Sequence, residues 1–149
     1  TQISATATLK TLAFRRAYVE EYSRHYLLAS EKRAELLQKE EKDAEQSVEF
    51  ILDFYTLDAR ANNLAREKGA DWDVFIRFGN KDRREPLEIK KLRLRQAEKI
   101  FYPYFTPWST PYALRFEGPL PSKKLELVIT GPLGTAILKW QLPDFTSEN

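Results

Sequence analysis

Phe101-Tyr102-Pro103-Tyr104-Phe105-Thr106-Pro107-Trp108-Ser109-Thr110-Pro111-Tyr112 gathers six aromatic rings and three prolines into twelve residues. Proline fixes φ and lacks an N–H, so three prolines spaced four apart are read as excluding both a helix and a central strand. The stretch therefore reads as a stiff, extended crossing that carries large rings over a sheet surface. Core packing between two layers is the first expectation for those rings. A stacking platform for carbohydrate or peptide is the alternative, with Tyr102, Tyr104, Trp108 and Tyr112 as its candidate residues. Rigid aromatic side chains bind with little loss of entropy.

Downstream of the crossing, apolar residues alternate with polar ones. Tyr112, Leu114 and Phe116 form one such run, Leu125, Leu127 and Ile129 a second, and Ala136, Leu138, Trp140 and Leu142 a third. Gly131-Pro132-Leu133-Gly134 joins the last two as a tight hairpin. It lacks phosphate-loop spacing and leads into a strand, so it is a turn and not an anion cradle. Upstream, the same period of two appears in Ile3–Leu9, in Val48–Phe54, in Trp72–Phe78 and at Leu87 and Ile89.

About seven short antiparallel strands result, the count expected of an immunoglobulin-like sandwich, although the Cys–Trp–Cys signature is missing. All five glycines lie at or after Gly69 and all eight prolines at or after Pro86, which leaves the first part of the chain to helices. Phe14, Tyr18, Tyr22 and Tyr26, four apart, predict a helical face. Residues 31–46 hold ten charged side chains and only a thin stripe of Ala34, Leu37 and Ala44, which predicts a largely solvated second helix. Ser30 is its expected N-cap, and Glu35–Lys39 an expected i,i+4 pair. The predicted fold is one α+β domain over 1–149, a mainly antiparallel immunoglobulin-like β-sandwich. A strand at 1–10 opens it, a helical pair at 12–46 packs beside it, strands fill 47–142 and a tail closes it at 143–149.

Composition narrows the function. A formal charge of +2, from 24 basic and 22 acidic residues, lacks the basic excess of a nucleic-acid binder. Zero cysteine removes disulfides, thiol catalysis and thiolate metal sites. His25 is the lone histidine and no G-x-S-x-G elbow occurs, so no serine–histidine system is assembled. No calcium-loop pattern is present either, so neither metal nor cofactor is expected. Asp71 and Asp73, flanking Trp72, are the candidates for a remote alternative, an acid-pair hydrolase.

Residues 77–99 carry nine cations against four acids. In an extended strand Lys91, Arg93 and Arg95 share a face. That face suits contact with an anionic lipid surface, or protection of a sheet edge. The chain starts at Thr1 and holds no methionine, so it is expected to be the trimmed product of a longer one.

The order of segments resembles a family of uncharacterised bacterial envelope lipoproteins of deltaproteobacterial type. The residues that carry it are Ala5–Leu9, Phe14–Tyr22, Tyr26–Leu28, Val48–Phe50, Phe54–Thr56, Trp72, Pro86–Lys90, Phe101–Ser109, Tyr112, Arg115–Phe116, Leu127–Gly134 and Trp140. Two departures stand out: the acylated cysteine ahead of the first strand is missing, and Tyr102 is inserted where relatives read Phe-Pro-Tyr. The resemblance implies a periplasm-facing domain, membrane-anchored by an N-terminal lipid, in the bacterial cell envelope. Its implied role is structural or partner-binding, non-catalytic, with an envelope protein as partner and no nucleic acid. The family supplies no catalytic residues to carry over.

Overall fold

The computed structural model describes residues 2–66, 71–79, 82–93, 106–120 and 122–143. Among these residues the elements are β1 (Ile3–Leu9), α1 (Leu12–His25), α2 (Ser30–Gln46), β2 (Ser47–Thr56), β3 (Asp73–Phe78), β4 (Asp82–Arg84), β5 (Glu88–Lys91), β6 (Thr110–Glu117), β7 (Lys124–Gly131) and β8 (Gly134–Gln141), with a 3₁₀ turn at Ala59–Ala61. The strands form two four-stranded antiparallel sheets, ordered β1-β2-β6-β5 and β4-β3-β7-β8. The fold is α+β with a sheet-rich core.

A period of two assigns each strand residue to one of two faces. Phe50, Leu52, Phe54, Tyr112, Leu114 and Phe116 from the first sheet meet Val74, Ile76, Phe78, Leu125, Leu127 and Ile129 from the second in one apolar cluster. Edge-on ring contacts tie the layers together, as between Phe54 and Trp72 at 5.1 Å. The loop after β2 plugs one end of the core with Leu64. That loop is pinned from above and below: Trp72 Nε1 donates to the Ala61 carbonyl at 2.6 Å, and the Tyr112 hydroxyl to Asn62 Oδ1 at 2.6 Å.

Both helices sit between β1 and β2 in the chain, and they lie chiefly against each other. Thr11 caps α1, its hydroxyl accepting from the Phe14 amide at 3.0 Å. The tyrosine ladder forms as expected, with Tyr18–Tyr22 and Tyr22–Tyr26 centroids 5.7 and 4.6 Å apart. It is not the buried line, however. Arg15, Val19 and Ser23, one position further round the helix, are the buried ones.

Arg15 joins the hairpin to the sandwich. It is 1 % exposed, and its guanidinium reaches Glu40 of α2 and Glu49 of β2, each at 3.4 Å, and the Lys10 carbonyl at 3.3 Å. Removing one partner from such a buried group strands the other's charge, at about 3–5 kcal/mol.

Four expectations need correction. Ser30 is the first helical residue of α2, and Ala29 holds the N-cap position without a side-chain bond. Lys39 pairs with Asp43 at 2.9 Å, while Glu35 pairs with Lys32. An eighth strand, β4, was hidden because its three residues, Asp-Arg-Arg, carry no apolar alternation. Pro111 does enter an interior strand, because it is only the second residue of β6, where a missing N–H is tolerated.

Helix α1 ends in a reciprocal cap: Leu28 N–H bonds the Ser23 carbonyl at 2.9 Å and Leu27 N–H the Arg24 carbonyl at 3.4 Å. This geometry places Leu27 at φ 53°, a conformation that leucine adopts at a penalty, and its side chain is 88 % exposed. Leu27→Gly is therefore expected to stabilise the fold by about 1 kcal/mol, after glycine's own entropic disadvantage is subtracted. Urea denaturation measures this. A loss of stability would show that the leucine side chain is itself held.

Candidate binding site

Because Leu52 and Phe54 must face the core, Asp53 between them must face outward. On that face β1 sets Thr6 opposite Asp53 and Ser4 opposite Tyr55, while β6 sets Pro111 on the other side of Asp53. The chain leading into β6 closes over this patch. Thr106 and Ser109 lock it into a turn: the Thr106 amide donates to Ser109 Oγ at 3.2 Å, and the two hydroxyls meet at 2.8 Å. Trp108 stands out of that turn, 73 % exposed. Together these residues line a shallow cleft of about 500 Å³.

Asp53 is the unusual member. It is only 8 % exposed, and its Oδ1 is buried without a hydrogen-bond partner among the described residues. Burial pushes its carboxyl above the ordinary carboxylate range, and the nearby Ser109 hydroxyl, which favours the charged form, offsets this only in part. An acceptor left unpaired away from water costs about 1–3 kcal/mol. Among the described residues lining the cleft, Asp53 is the one carboxylate.

The residues singled out from sequence fall in different places. Trp108 belongs to this cleft and is no core filler, because the Thr106–Ser109 turn carries it outward. Tyr112 is the reverse: 1 % exposed in the core, it offers no ring face to a ligand, and burial raises its phenol pKa. Its candidacy as a binding residue does not survive that placement. Tyr102, Tyr104 and Arg95 lie outside the described residues.

Lys91 is exposed on β5, the edge strand of its sheet, and Arg93 is exposed just beyond it. Cations at such an edge discourage the addition of a further strand. Asp73 accepts from Arg83 Nη2 at 2.8 and 2.9 Å, and Asp71 accepts from Asn63 Nδ2 at 3.1 Å. Each aspartate thus has a structural partner. His25 is a surface residue, edge-on to Tyr26 at 4.8 Å.

Asp53, Ser4, Thr6, Tyr55 and Ser109 were not anticipated. The available signal was Phe50-Ile51-Leu52 immediately before Asp53. Apolar residues on both faces of a strand announce that its outer face is covered as well, and an acid in the next position then enters that covered zone.

No group of three or more His, Cys, Asp or Glu side chains among the described residues could hold a metal ion. No helix among them is long and apolar enough to cross a membrane. Compared with protein-family models, curated proteins and solved structures, the chain matches none.

The raised pKa of Asp53 fixes a sign. Its native form binds its proton more tightly than the unfolded chain, whose carboxyl titrates near 3.8. The stability it contributes is present below that value and is lost as pH rises through the higher native one. Asp53→Asn removes this loss. The variant is expected to melt above the wild type near neutral pH, with the difference closing in acid. Melting curves across pH test this, and a variant that melts lower near neutrality contradicts it.

Proposed function

We propose that this chain is a non-catalytic binding domain of the bacterial cell envelope, engaging its ligand through the outer face of the β1-β2-β6-β5 sheet. One observation carries the reading: an exposed indole, Trp108, lines the same cleft as a buried carboxylate, Asp53, whose Oδ1 has no partner among the described residues. A folded protein retains such a group at a loss of stability, which is the signature of sites shaped for something other than folding. The support for a binding role over a hydrolytic one is that this carboxylate has no acidic companion in the cleft.

We further read the fold as an immunoglobulin-like sandwich with a helical hairpin inserted between its first two strands. The strand orders β1-β2-β6-β5 and β4-β3-β7-β8 correspond to A-B-E-D and C′-C-F-G of that architecture. Trp72, entering the third strand, packs on Phe54 of the second, as a buried tryptophan of the C strand does in such domains. The envelope location, the lipid tether, the periplasm-facing orientation and an envelope partner rest on the segment-by-segment resemblance to bacterial lipoproteins.

Photo-crosslinking in the native host tests this. Benzoylphenylalanine in place of Trp108 is expected to give adducts in the envelope fraction, and the same probe in place of Leu27 at the hairpin tip is expected to give none. Adducts from position 27 with none from position 108 would move the binding surface to the helices.

A further inference from the structure

The geometry points to a saccharide subsite: a neutral pyranose ring lying on the Trp108 indole, with one of its hydroxyls donating to the Asp53 carboxylate where it lines the cleft. This rests on the binding role proposed above and names the ligand class of the same cleft.

Trp108 is held by a turn whose hydroxyls and amide bond one another, so its exposed ring is presented with little freedom left to lose. The negative face of an indole attracts the polarised C–H groups that line one side of a pyranose. The same cleft is lined by Asp53, whose Oδ1 has no donor among the described residues. Around it, the Ser4, Thr6 and Tyr55 side chains each bring a hydroxyl able both to donate and to accept, the pattern that polyhydroxylated ligands match. The cleft volume falls within the ~300–1,000 Å³ of small-ligand sites. Its shallow form suits an internal ring of a chain passing across the sheet.

Other ligand classes fit less well. A peptide added as a strand pairs along a sheet edge, whereas this cleft is lined by outward side chains on the sheet face, with Asp53 on the interior strand β2. A phosphorylated ligand would meet Asp53, and no lysine or arginine is among the described residues lining the cleft. A cationic ligand would find a single carboxylate whose charged form burial already disfavours.

Isothermal titration and tryptophan emission with chitohexaose, cellohexaose and maltohexaose, beside tetralysine and inorganic phosphate, decide the matter. At least one neutral hexasaccharide is expected to bind. Trp108→Ala and Asp53→Asn should each weaken it about tenfold or more, the scale of losing a stacked ring or a charge-assisted hydrogen bond. Melting curves of both variants confirm that they fold. Saccharide binding undiminished in both variants, binding of tetralysine or phosphate alone, or no binding by the wild type would overturn the inference. Crosslinks to protein from position 108 would overturn it too, while leaving the binding role standing.

Discussion

Two sheets can exclude water from one layer only if alternate residues of their strands are apolar and fall in register across the interface. Here β2, β3, β6 and β7 supply that layer, and everything else is arranged around it. Once Phe50, Leu52 and Phe54 are committed inward, Glu49, Ile51, Asp53 and Tyr55 are committed outward, because strand side chains alternate without exception. A one-residue slip would exchange the two sets and place Asp53 in the core. The position of the cleft is thus a consequence of core packing.

The same constraint explains why the helices stand apart. The two inner faces are satisfied by each other, so the hairpin between β1 and β2 lies outside the central apolar layer. It keeps chiefly to its own helix–helix contact, and an ion pair ties it to the sandwich. Arg15 draws Glu40 and Glu49 around itself, so that α1, α2 and β2 meet at one guanidinium.

Much of the fold is legible in the residues because period-two patterning is a direct image of a two-faced strand. Val48–Phe54, Trp72–Phe78, Tyr112–Phe116, Leu125–Ile129 and Ala136–Leu142 all lie within observed strands or overlap them. The strand β4 is not legible, since a short pairing of charged residues leaves no apolar trace. The offset between the tyrosine ladder and the buried Arg15–Val19–Ser23 line is also silent, because burial of an arginine depends on partners distant in the chain. The cleft was half visible. Trp108 was marked by its aromatic, proline-rich neighbourhood, but its exposure is decided by hydrogen bonds between Thr106 and Ser109. Asp53 looked like an ordinary polar residue of a strand until the chain before β6 folded over it.

The central claim is that a carboxylate on the outer face of a strand is held largely away from water, with one oxygen unpaired among the described residues. Nuclear magnetic resonance of the Asp53 side-chain carboxyl carbon, followed through an acid titration of the unliganded protein, measures this directly. A midpoint clearly above the ordinary aspartate value of 3.8 is the predicted result. A midpoint at or below that value would mean that Asp53 is already solvated or already bonded, and the account of the cleft would fail.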